Sequence, residues 1–125
     1  MAISKYYIII DDNEIDIFIA SRMIEMAFPN SMIITFNNAM DAMRAVENEN
    51  FDEPVVMLVD INMPIRNGFQ FMEDFEKLPI ERQELFIPYF LTSSINESDI
   101  AFAKTFKTIR KFINKPLLSN FILDL

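Results

Sequence analysis

Strands that are apolar at every position have few places to go. VVMLV at 55–59 is such a run, and YYIII at 6–10 and MIITF at 32–36 come close to it. A strand with one wet face alternates apolar and polar side chains. A continuous apolar run belongs in a sheet covered on both faces, which is the parallel sheet of α/β proteins. Segments of helical spacing separate the runs. Ile15, Phe18, Ile19, Met23 and Met26 predict a first helix over 14–28, ended by Pro29. Asn38 suits the cap of a second helix, with Ala39, Met43 and Val46 on its inner face. A third is predicted over 68–77, turning Phe69, Met72 and Phe75 to the core.

Pro88 has no N–H to give a central strand, so the fourth strand is expected to begin after it, over 89–91. Asn96, with Asp99 three residues on, resembles a capping arrangement for a helix over 97–107. KFI at 111–113 reads as a fifth strand, and Leu117, Leu118, Phe121, Ile122 and Leu125 as a final amphipathic helix cut short. Strand and helix thus alternate five times within 125 residues, the length of one domain, expected to span 1–125. Right-handed crossovers make this a doubly wound α/β sandwich, with ligands at the carboxyl ends of the strands.

Composition removes several chemistries. There is no Cys and no His, so disulfides, thiolate zinc sites, thiol nucleophiles and imidazole catalysis are all excluded. A net charge of -8 speaks against sequence-independent binding of nucleic acid and against a polybasic membrane anchor. The apolar stretch at the N-terminus is too short for a signal core or a membrane span, so the expected location is cytoplasmic.

The remaining chemistry gathers at the strand ends. The first strand closes on Asp11-Asp12, the third on Asp60, the fourth on Thr92-Ser93-Ser94, and the fifth is followed by Asn114-Lys115-Pro116. Three carboxylates brought to one rim repel each other and call for a cation. Oxygen-only ligands on a compact acidic rim suit Mg²⁺. A carboxylate can act as the nucleophile that accepts a phosphoryl group, and Lys115, Thr92 and the metal would meet that group's negative charge. Each feature has a plainer reading alone: Asp11-Asp12 as a helix cap, Asp60 as a strand terminator, Thr92 as a turn hydroxyl, Lys115 as a solvated loop residue. Phe112 reads equally well as core. The conjunction of four strand ends carries the assignment.

The acidic pair Asp11-Asp12, the DINMP box with Asp60 and Pro64, Gly68, Thr92-Ser93 and Lys115-Pro116 resemble the receiver domain of two-component response regulators, along essentially the whole chain. The resemblance implies a flavodoxin-like sheet of five parallel strands in the order 2-1-3-4-5, with helices on both faces. It implies Asp60 as phosphoacceptor, charged from the phosphohistidine of a sensor histidine kinase or histidine phosphotransfer protein. Asp12 and Asp60 would hold Mg²⁺ directly, Asp11 mostly through water, and Asn62 through its backbone carbonyl. Lys115 and Thr92 would assist the transfer, Thr92 and Phe112 would form a switch pair, and a cis peptide would precede Pro116.

Three departures stand out. TFKTIRKF replaces the usual small pair after the fourth helix, Phe112 lacks a hydroxyl, and the last helix is short. The expectation is a stand-alone signalling domain rather than a turnover enzyme. Its output would go to an unidentified downstream protein, without nucleic acid or membrane, and with a homodimer left open. A docking module that works without phosphorylation is the alternative. A haloacid-dehalogenase phosphatase would need Asp-x-Asp where this chain has Asp11-Asp12-Asn13, and a flavin carrier would need a glycine-rich loop that one Gly cannot make.

Overall fold

The computed structural model describes residues 6–117 and Ile122. Five strands, β1 (Tyr6–Ile10), β2 (Met32–Phe36), β3 (Val55–Val59), β4 (Phe86–Thr92) and β5 (Phe112–Asn114), form one parallel sheet in the order β2-β1-β3-β4-β5. The described helices are α1 (Glu14–Ala27), α2 (Ala39–Asn48), α3 (Gly68–Phe75), the single turn α4 (Ile80–Gln83) and α5 (Glu97–Ala103). The expected strand order is the observed one.

Alternation along the strands divides the core between two faces. Ile8, Ile10, Met57, Val59 and Phe90 pack with Phe71, Phe75 and Val46 on the side of α2 and α3. Tyr7, Ile9, Val56, Leu58 and Leu91 pack with Ala20 and Ile24 of α1 on the other. Every residue of β3 is fully buried, as its continuous apolar run requires.

The first helix turns a different face inward than its spacing suggested. Ala20 and Ile24 are buried, while Ile15, Phe18 and Met26 lie in solvent, Phe18 at 64% exposure. α1 is apolar around most of its circumference, so periodicity alone does not choose a side.

Pro88 lies inside β4, paired with Met57, and not before the strand. Its carbonyl accepts the Arg110 N–H and the Phe90 N–H donates to the Lys111 carbonyl, so its missing donor points to the side of β4 away from β3. β5 begins only opposite Phe90, so no ladder bond is lost.

α5 stops at Ala103, short of the expected 107, because the chain turns Phe106 inward to stack on Phe69 with ring centroids 6.0 Å apart. The Thr108 N–H and hydroxyl then both donate to Glu76 Oε2, at 2.9 and 2.6 Å. The TFKTIRKF segment is thus docked at both ends of its turn. α4 was not anticipated, and the guanidinium of its Arg82 donates to the carbonyls of Val46 and Glu49, closing the end of α2. α3 ends at Phe75, two residues early. The final helix expected from 117 onward falls outside the described residues, apart from the buried Leu117 and Ile122.

Candidate functional site

Parallel strands deliver their last residues to one rim, and four of them, β1, β3, β4 and β5, deliver acid, hydroxyl and base there. The Asp11 N–H continues the ladder to the Phe36 carbonyl at 3.0 Å, and the Asp60 N–H donates to the Ile10 carbonyl at 2.9 Å. Both acids are therefore held by the sheet itself. Asp11 and Asp60 are 3% and 5% exposed, whereas Asp12 is open to solvent. One carboxylate oxygen from each of the three lies within 4.8 Å of the others.

Helix capping does not explain the acidic pair. Asn13 caps α1, its side-chain oxygen accepting the N–H groups of Ile15 and Asp16. Asp11 instead accepts the Asn13 N–H at 2.9 Å, which orients its carboxylate.

The Lys115 ammonium reaches back from the end of β5 and donates to Asp11 at 2.6 Å. It also donates to Asp16 at 2.8 Å and stands 3.5 Å from Asp60. Asp16 is a fourth carboxylate that the strand-end pattern missed. It sits in the first turn of α1, which a pattern of strand ends does not sample. The Lys115–Pro116 peptide is cis, as the resemblance implies.

Burial, and then the Asp11 charge, push the Asp60 carboxyl up to about 6, against the opposing pull of Lys115 and the Asn62 N–H. Burial alone would lower the Lys115 ammonium, but the hydrogen bonds it donates to Asp11 and Asp16 and the Asp60 charge outweigh it, so its pKa rises. The rim holds more negative charge than its lysine neutralises.

Asn62 donates its N–H to Asp60 Oδ1 at 3.4 Å. Thr92 is fully buried at the end of β4, and its hydroxyl accepts the Ser94 N–H at 3.2 Å, a turn role that leaves its own hydrogen uncommitted in that bond. Phe112 is half-buried, its ring centroid 6.5 Å from that of Phe90. The rim thus brings together Asp11, Asp12, Asp60 and Lys115, while Phe112 lies on the strand leading to it.

In the loop from β3 to α3, Ile65 has φ of 70° and is 85% exposed. A β-branched side chain in the left-handed region is strained by about 1–2 kcal/mol. Asparagine tolerates that region, so Ile65→Asn should stabilise the protein by about 1 kcal/mol in urea unfolding. A loss instead would show that the isoleucine side chain contributes contacts that outweigh its strain.

The family model of the response regulator receiver domain matches residues 7–124. A response regulator receiver protein from Dyadobacter fermentans superposes with a TM-score of 0.86 at 27% identity, covering 97% of this chain and 94% of that one. A two component response regulator from Cytophaga hutchinsonii gives 0.80 at 22% identity, with 98% of each chain covered. The phosphorylated cyanobacterial phytochrome response regulator RcpA gives 0.76 at 22% identity, over 98% and 88%; at that identity the last two bear on the fold alone. No curated protein matches the chain. A parallel sheet in this order, an acidic rim with a lysine, and a family match along nearly its whole length agree: the chain belongs to the response regulator receiver domain family.

Proposed function

We propose that this receiver accepts a phosphoryl group on Asp60 and signals through a change in its protein contacts. The observation that carries the reading is the rim itself: three carboxylates within 4.8 Å, a lysine 3.5 Å from Asp60, and an Asp60 carboxyl raised to about 6. A buried carboxyl whose pKa stays raised beside a cation is unfavourable for a residue with only a structural task, and is a recurrent mark of functional sites.

Asp11, Asp12 and Asp60 offer hard oxygen donors that fit Mg²⁺, and the Asn62 carbonyl would complete the protein's share of the ligands. A bound Mg²⁺ supplies positive charge against the phosphoryl oxygens and the clustered acids. An Asp60 carboxylate oxygen attacks phosphorus while the bond from phosphorus to the donor's nitrogen breaks, its electron pair leaving with the donor imidazole. Lys115 is close enough to exchange one of its carboxylate partners for a phosphoryl oxygen. The Thr92 hydroxyl would donate to another, and its movement would let Phe112 repack against Phe90.

The donor class is a sensor histidine kinase or a histidine phosphotransfer protein, and the receiving partner is a downstream protein. A cytoplasmic setting follows from that donor, and among the described residues no helix is long and apolar enough to cross a membrane. Hydrolysis of Asp60 phosphate would reset the domain, with no substrate turned over.

Intact-protein mass after incubation with acetyl phosphate tests the reading. One added phosphoryl group is expected in Mg²⁺, with none in EDTA and none in Asp60→Asn. An adduct of equal yield in the variant would remove Asp60 from the role. No adduct in any condition would favour the docking module that works without phosphate.

A further inference from the structure

Lys115 is held by a carboxylate that stands outside the acidic group on the rim. Its ammonium donates to Asp11 at 2.6 Å and to Asp16 at 2.8 Å, and lies 3.5 Å from Asp60. An ammonium has three hydrogens to donate. Two are committed to those bonds, which leaves the third for a group beside Asp60. The two anchors come from different elements. Asp11 closes β1, whereas Asp16 lies in the first turn of α1, where its N–H donates to the Asn13 cap at 3.1 Å. The Asp16 side chain is thus carried on a backbone that the cap fixes.

The anchors also differ in what else is asked of them. Asp11 belongs with Asp12 and Asp60 to the three acids that fit a cation, and Asp16 does not. When Asp11 and Asp60 are engaged with Mg²⁺, their hold on Lys115 weakens, because the same oxygens then serve two positive charges that repel each other. A lysine on its flexible stem does not stay in place unaided. It also has room to turn away: an open cleft of about 210 Å³, lined by Lys115 itself with Asp16, Ala20, Leu91 and Ser93, lies beside it. We propose that Asp16 is a positioning residue for phosphoryl transfer, holding the Lys115 ammonium beside Asp60 once Asp11 has turned to the metal. This role rests on Asp60 as phosphoacceptor, and it divides the partners of the lysine. The bond to Asp11 is exchanged for one to a phosphoryl oxygen, and the bond to Asp16 is kept.

A plainer role for the pair is to staple α1 to the end of β5. The Asp16 side chain is 33% exposed, and ion pairs open to solvent add little stability. Charge alone argues against an acid here. The rim already holds more negative charge than Lys115 neutralises, and a further carboxylate repels an anionic phosphoryl donor. A tether is the role in which Asp16 helps the reaction.

Two measurements on the wild type, Asp16→Ala and Asp16→Asn test the tether. The first is the Lys115 Nζ–H cross-peak by NMR in saturating Mg²⁺ without phosphoryl donor, assigned by its absence from Lys115→Met. Hydrogen bonding slows exchange of the ammonium hydrogens with water, so a held lysine gives a peak and a free one does not. The peak should persist in the wild type and in Asp16→Asn, whose amide oxygen still accepts the bond, and vanish in Asp16→Ala. The second is the rate of loading by acetyl phosphate at saturating Mg²⁺, followed by intact mass. Asp16→Ala should load roughly tenfold more slowly, as expected for a displaced reacting group, and Asp16→Asn should restore most of the rate. Asp16→Ser, too short for the bond, takes the place of the alanine variant should circular dichroism show that one unfolded. No wild-type peak in Mg²⁺, a peak that survives in Asp16→Ala, or loading of Asp16→Ala as fast as the wild type or faster would overturn the role of Asp16 alone. A wild type that takes no phosphoryl group would remove the phosphoacceptor reading and this role with it.

Discussion

Gly68→Ala should destabilise the protein by about 3 kcal/mol, roughly 10 °C in melting temperature for a domain of this length. A Cβ at this position would lie 2.3 Å from the Asp60 carbonyl oxygen and 2.9 Å from both the Asp60 carbonyl carbon and Ile61 Cα. All three are backbone atoms, so no side chain can rotate away. Overpacking against side chains costs about 1–3 kcal/mol, and a backbone wall belongs at the upper end. The Gly68 N–H also donates to the Ile61 carbonyl at 2.9 Å, so separating the segments weakens the bond that joins them. Close approach is what requires glycine here, since its φ is not positive. The displaced group belongs to Asp60 itself, so the folded variant should also bind Mg²⁺ more weakly. Urea unfolding and a Mg²⁺ titration check both parts. A cost below about 1 kcal/mol would mean that the start of α3 shifts freely.

In EDTA near neutral pH, Asp60→Asn should melt at a higher temperature than the wild type. The Asp60 carboxyl rises to about 6 in the fold, chiefly through burial, from an ordinary value of 3.8. Between those values the native state holds a proton that the unfolded chain has released. Stability therefore falls as pH rises through that window, and the favourable contribution is fully present only below it. Two units correspond to roughly 2–3 kcal/mol. Asparagine does not ionise, so the variant lacks this loss. Mg²⁺ should reverse the order, because it binds the ionised wild type and stabilises it by mass action. Melting curves at about pH 5 and about pH 7.5, each with EDTA or Mg²⁺, read all four corners. A variant no more stable than the wild type in EDTA at the higher pH would mean that Lys115 already neutralises the rim.

The rim was legible because its residues terminate runs whose apolar character fixes where they end. Asp60 closes a strand with no polar position, and Asp11 closes another. Lys115 was legible as the residue following the fifth strand and Asp16 was not, since an acid in a first helical turn carries no mark of the cation it meets across the sheet. α1 misled for a related reason: Ile15, Phe18 and Met26 keep helical spacing as well as Ala20 and Ile24 do, and only packing against the sheet decides which stripe is buried. Pro88 was read by the general rule against proline in central strands. The rule concerns the donor's direction, which depends on where β5 begins. Thr92 closes β4 and Phe112 opens β5, which puts both on neighbouring strands of the sheet.

Every helix of seven residues or more described here starts on an asparagine. Asn13, Asn38, Asn67 and Asn96 cap α1, α2, α3 and α5, each accepting a backbone N–H in the first turn. An amide does the work of an aspartate without carrying its charge. The caps themselves therefore carry no charge to titrate or screen, though Asp41 in the first turn of α2 accepts the Asn38 amide beside one of them. Scaffold and chemistry are in that sense kept apart: the side chains that cap the helices are neutral, and three carboxylates gather on the rim that the strands present.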